Sequence, residues 1–84
     1  MKKEDIIGKV FRHYKGRFYF VKDIAKDSED LKNLVIYQAL YGNGEVWSRD
    51  VDEFLSDIDP NKLDNKHKQT KRFELVDLEK IAQM

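Results

Sequence analysis

The sequence predicts a mainly β domain, a small and partly open barrel of about five strands. Three observations carry that expectation. Short apolar runs recur with period-two patterning along most of the chain. Two hairpin signals, Lys15-Gly16 and Gly42-Asn43-Gly44, join successive runs. Between the strands there is room for only one short helical turn, near residues 50–56.

The strands follow in order. Residues 1–7 form a polar lead-in with room for one helical turn. Gly8 then opens a first strand, Lys9 to Tyr14, which ends at the Lys15-Gly16 turn. The second strand runs from about Arg17 to Lys26 and breaks its own alternation. Tyr19 and Val21 share one parity and Ile24 has the other. Either both faces are buried, with Phe18 and Phe20 joining Ile24, or a β-bulge lies near Lys22-Asp23. Both readings suit a strand bending around a small barrel. After the polar turn Asp27-Ser28-Glu29-Asp30, Leu34 to Tyr41 is apolar on both faces, which marks a central strand. The Gly42-Asn43-Gly44 hairpin leads into Glu45-Val46-Trp47-Ser48-Arg49. Asp50 is placed to cap the helical turn, with Glu53 at the capping-box position. The segment 61–70 reads as a mobile polar loop, Lys71 to Leu75 as a last strand, and Val76 to Gln83 as a short C-terminal helix.

A chain of 84 residues fits a single domain, 1–84, with its core at 8–56, a polar loop at 57–70 and a C-terminal strand and helix at 71–84. Such a domain buries only about 60% of the surface its unfolded chain exposes. No cysteine is present to cross-link it, which suits a reducing, cytoplasmic setting. Packing falls to five Phe, four Tyr and one Trp, whose rings bury about 150–250 Å² each. No apolar run approaches the roughly 18 residues of a membrane span, and the charged N-terminus is not that of a signal peptide.

Sixteen basic and sixteen acidic residues give zero net charge, but unevenly. Residues 1–22 carry seven Lys/Arg against two acids, 43–59 one against six, and 61–72 five against one. A neutral total argues against strong nonspecific nucleic-acid binding, while leaving room for a local basic patch.

One set of residues resembles a known family. Gly8-Lys-Val-Phe-Arg-His-Tyr-Lys-Gly16, Tyr19-Phe-Val21, Ile24-Ala25 and Ser28-Glu29 resemble its first half. Val35-Ile-Tyr-Gln-Ala-Leu-Tyr-Gly42, Trp47-Ser-Arg49 and Phe54 resemble its second. The family is the bacterial domain of unknown function numbered 1653, and the likeness spans roughly residues 8–55. It implies a free-standing barrel of SH3-like type and no activity. This chain departs from the pattern with Gln38 where the family usually has arginine, a longer loop at 61–70, and an extension after Phe73.

Two clusters are candidate sites. In Arg12-His13-Tyr14-Lys15, the cations suit a phosphate or carboxylate and Tyr14 suits base stacking. The structural alternative lays Arg12 and Tyr14 over a sheet face, with His13 bonded to backbone. Trp47 and Arg49, sharing a strand face near Tyr37 or Tyr41, suit a ligand platform. Burial favours Trp47 as a core anchor, with Arg49 paired to an acid such as Asp52. Two distant histidines without cysteine do not make a zinc site, and Asp50, Asp52 and Glu53 lack calcium-loop spacing. No nucleophile elbow, P-loop or dinucleotide fingerprint occurs, so neither enzyme activity nor a cofactor is expected. The expected function is a non-catalytic module that binds a protein or peptide. Nucleic acid, held by residues 12–19 and the basic loop, and a small anion, held by Arg12 and Arg49, are the alternatives. Convergence of 9–17 and 62–72 on one face would favour nucleic acid; cover by the acidic run would exclude it.

Overall fold

The computed structural model describes residues 1–78, so the helix expected over 76–83 lies mostly outside the described residues. Five antiparallel strands form one unclosed sheet: β1 Val10–His13, β2 Phe18–Lys26, β3 Asn33–Ala39, β4 Val46–Asp50 and β5 Phe73–Leu75. Their order is β4-β3-β2-β1-β5, so the doubly apolar β3 is interior as its pattern requires. The sheet is accompanied by a 3-10 turn, Lys3–Ile6, and a four-residue helix, α1 Val51–Phe54. Neither is long and apolar enough to cross a membrane.

The irregular β2 resolves as a bulge. Val21 pairs with Tyr37 and Asp23 with Ile36, so one residue is left over between them. That extra residue restores Ile24 to the inward face of Tyr19 and Val21, where it packs on the core. The sheet curls strongly. Four strand intervals of about 4.8 Å would hold β4 and β5 roughly 19 Å apart if the sheet were flat. Instead the Arg49 guanidinium of β4 lies 5.5 Å from the centre of the Phe73 ring of β5.

The concave side is closed by two pieces of chain. Ile6 of the 3-10 turn and Val51 and Phe54 of α1 cover Phe11, Val21, Val35 and Phe73. Phe54 stacks on Phe73, ring centres 4.0 Å apart, and meets the edge of Phe11 at 5.2 Å. α1 starts where its cap dictates: the Asp50 carboxylate accepts from the backbone N–H of Asp52 and Glu53. Glu53 turns to Arg49 instead of completing a capping box.

The loop at 57–70 is more built than a solvated, mobile loop. Asn65 and Gln69 are buried inside it. The Asn65 amide donates to the carbonyls of Asp59 and Gln69 and accepts from the Gln69 N–H at 2.9 Å. The Gln69 amide donates to the carbonyls of Arg12 and Lys71 and accepts from Arg12 Nε at 2.6 Å. Every polar atom of the two side chains is paired, which is what makes their burial tolerable. This clasp fastens the loop against β1.

Candidate functional site

Past the core, toward the β1–β2 turn, the concave face opens into a cavity of about 340 Å³. Its cations are Lys15 and Arg17 from the turn and Arg49 from β4. His13 and the rings of Tyr19, Tyr37, Tyr41 and Phe73 complete the lining, and among the described residues no carboxylate belongs to it. The turn is tight. His13 N–H donates to the Arg17 carbonyl and Gly16 N–H to the His13 carbonyl. Gly16 holds φ at +108°, which a side chain would resist, and Lys15 and Arg17 flank it.

The rings pack edge to face around Tyr19, whose centre lies 5.3 Å from Tyr37, 5.5 Å from Tyr41 and 5.8 Å from Phe73. The Tyr19 and Tyr41 hydroxyls share a hydrogen bond of 2.7 Å. Burial, and then that bond, push the Tyr19 phenol above its ordinary pKa, so it stays protonated. Two ring faces already hold cations. Arg17 lies 4.4 Å from the centre of Tyr41 and Arg49 5.5 Å from that of Phe73. Arg49 also donates from Nε to the Tyr37 hydroxyl at 3.3 Å and pairs through Nη1 with Glu53.

His13 reports the field in the cavity. Burial first, then the charges of Arg49, Lys15 and Arg72, lower its pKa from 6.5 to about 4, against a smaller opposing pull from Asp64. It is therefore neutral at pH 7. Its Nδ1 accepts from the Lys15 N–H at 3.1 Å, so the ring carries its proton on Nε2. A half-buried donor among three cations and several phenols suits an anion.

The structure gathers His13, Lys15, Tyr37 and Arg49 into this one cavity. Arg12 points to the other side of the sheet, toward Gln69 and Glu74. Tyr14 is 6% exposed and covered by Lys62 and Arg72, so its ring face is not open for stacking. Trp47 is 48% exposed, so it does not anchor the core, and it lines a neighbouring recess with Tyr41 and Glu45. The acid on Arg49 is Glu53, one helical step beyond Asp52. Tyr41, expected near Trp47 and Arg49, joins the site through its hydroxyl bond to Tyr19, and Phe73 joins by the β1–β5 register His13 to Phe73, which the sequence does not announce. Gln38 binds the Gly44 carbonyl in the β3–β4 hairpin and takes no part. A larger recess of about 520 Å³ lies between Lys3, Lys32 and α1, but it has mixed charge and no ring in its lining.

Fold and cavity together define a small open β-sheet module with a cationic, ring-walled concave site. The family model described as a protein of unknown function (DUF1653) matches residues 9–75, and the chain belongs to that family. It is similar to the crystal structure of a DUF1653 protein from Bordetella bronchiseptica, at 25% identity and a TM-score of 0.71. The match covers 89% of this chain and 92% of that one. No curated protein matches the chain.

Proposed function

We propose that the protein is a non-catalytic binding module that holds an anionic group in the concave cavity. The observation that carries this reading is the lining itself: Lys15, Arg17 and Arg49 around a neutral His13, with the carboxylates that pair with Arg49 and Lys15, Glu53 and Asp64, both outside that lining. Cationic ligands are disfavoured because Arg17 and Arg49 already occupy ring faces that would receive them. The lack of cysteine accords with a cytoplasmic protein.

Titrating labelled protein with inorganic phosphate and with uridine monophosphate tests the reading. Amide shifts are expected at His13, Lys15, Arg17, Tyr41 and Arg49. The bound charge offsets the neighbouring cations, so the His13 pKa should climb from about 4 back toward 6.5. Arg49→Ala should weaken binding at least about tenfold, as loss of a charged hydrogen-bond partner does. Shifts that ignore Arg49→Ala would sink the reading.

A peptide ligand has one observation of its own. β4 is an edge strand with Val46 and Trp47 exposed, a geometry that accepts an added strand. Shifts confined to residues 45–50 on adding a peptide would identify that mode.

A further inference from the structure

We propose that the cavity is the end of a longer site for single-stranded nucleic acid, with one nucleotide seated in the cavity and the following phosphates over Lys15, Lys62 and Arg72; this rests on the anion-binding reading above. The argument begins with the clasp. Asn65 and Gln69 hold the 57–70 loop against β1, which brings the loop onto the β1–β2 turn. His67 Nε2 comes within 3.9 Å of where a Cβ on Gly16 would sit. Two basic stretches far apart in sequence, 9–17 and 61–72, therefore meet at one end of the sheet.

The cations continue past the cavity. The His13 ring lies 4.3 Å from that of Tyr14, and Tyr14 carries Lys62 at 5.5 Å and Arg72 at 5.9 Å from its centre. A small anion needs only the cavity; cations beyond it suit a ligand with charges at intervals. The acidic run reaches the basic surface at two points, Glu53 on Arg49 and Asp57 on Lys71, while Asp50 and Asp59 accept from backbone N–H groups; the acid on Lys15 and Lys62 is Asp64, outside the run.

One acid stands in the path, and it is informative. Asp64 lies 3.8 Å from Lys15 and 3.2 Å from Lys62, so a resident carboxylate already bridges the two lysines as a phosphate would. Its bond and charge raise the Lys62 pKa. The rings decide between polymers. Half-buried Tyr19 lines the cavity and offers a ring for a flat base to pack on, which an acidic peptide does not present, and Tyr37, 5% exposed, only backs it. A duplex would have to unstack and flip out a base to seat it in a concave cavity, a cost that a single strand largely avoids.

The test compares uridine monophosphate, an eight-nucleotide oligouridylate and an eight-residue polyglutamate by labelled-protein NMR, from about 20 to 200 mM salt. The oligonucleotide should bind at least about tenfold tighter than the mononucleotide. Its log K should fall with log salt at a slope near −2, about 0.7 for each of three neutralised phosphates. Lys62→Ala should reduce that slope by about 0.7 and leave the mononucleotide unaffected. Asp64→Asn should tighten the oligonucleotide, because it removes the competing carboxylate. If mononucleotide and oligonucleotide bind alike with wild-type slope in Lys62→Ala, the strand proposal is overturned while the anion site stands. If polyglutamate matches the oligonucleotide, the site takes polyanions without a base and the proposal also fails. Failure of every ligand to bind overturns both readings.

Discussion

The two ends of the concave face are built from the same strands by different chemistry. On β1, β2 and β3 a two-residue step in one common direction takes Phe11 to His13, Val21 to Tyr19 and Val35 to Tyr37. All six side chains face inward. At one end they are hydrocarbon and sealed by Ile6, Val51 and Phe54. Toward the other each carries a polar tip, with Tyr37 still packed on Phe54 at the boundary, and Arg49 and the β1–β2 turn add charge. Inward parity thus says only which face a residue takes. Whether it is dry core or binding wall depends on what lies over it, and the helical cover stops short of the turn. Tyrosine suits the boundary because its ring packs with the core while its hydroxyl stays satisfiable.

The largest effect should come from the sealed end. Phe54→Ala removes a ring that is fully buried and stacked on Phe73, and should cost about 3–5 kcal/mol. That is a large share of what a domain of this size holds at about 0.05–0.15 kcal/mol per residue. Urea unfolding followed by tryptophan fluorescence reads it directly. Arg49→Ala, at the other end, breaks a partly exposed ion pair and should cost only about 1 kcal/mol while weakening anion binding at least about tenfold. Equal stability losses for the two variants would erase the distinction between the ends.

Much of the sealed end was legible in the sequence, because local patterns produce it. Gly8 and the Lys15-Gly16 turn bracketed β1, the run apolar on both faces placed β3, the glycine turns placed the hairpins, and the parity slip between Val21 and Ile24 gave the bulge as one of two readings, the one the register bears out. Asp50 announced the start of α1. The open end was legible only in part. His13, Lys15, Tyr37 and Arg49 stood out as residue types, but their meeting depends on curl. Arg12 and His13 look alike in sequence, and a one-residue difference sends them to opposite sides of the sheet. Trp47 suggested a core anchor from its size, but it sits on edge strand β4, and the cover over the core comes from Phe54. The 61–70 segment looked solvated because its composition is polar. Its order comes from two amides that satisfy one another and β1, which no period or turn signal reveals.

That clasp joins the two ends, and its loss should be intermediate. Gln69→Ala strands the carbonyls of Arg12 and Lys71 and deprives Arg12 Nε of its acceptor. Unpaired buried groups of this kind cost about 1–3 kcal/mol. The loss should be local. Amide exchange should quicken across residues 57–72 and stay slow at Val21 and Val35. Protection lost evenly over both regions would show that the loop and the sealed core are a single cooperative unit, and the comparison would lose its sharpest line.

The smallest effect concerns His13 and follows from its position at the boundary. Its pKa is about 4 in the folded chain and 6.5 when unfolded. Between those values the unfolded chain binds more protons, so acidification favours unfolding. Stability tied to His13 is therefore fully present above pH 6.5, falls as pH drops toward 4, and changes no further below that. Its ring is only half buried, so solvent screening reduces the loss well below that of a sealed imidazole. Carboxylates titrate in the lower part of the same window, so the informative quantity is the difference between wild type and His13→Gln. The urea midpoint of the wild type should drop more steeply from pH 6.5 to 4.5 than that of the variant. The His13 ring signals should titrate near pH 4 in parallel. Parallel stability curves for the two proteins would mean that His13 already lives in a water-like field, and the open end would then lack the positive potential that its lining of Lys15, Arg17 and Arg49 requires.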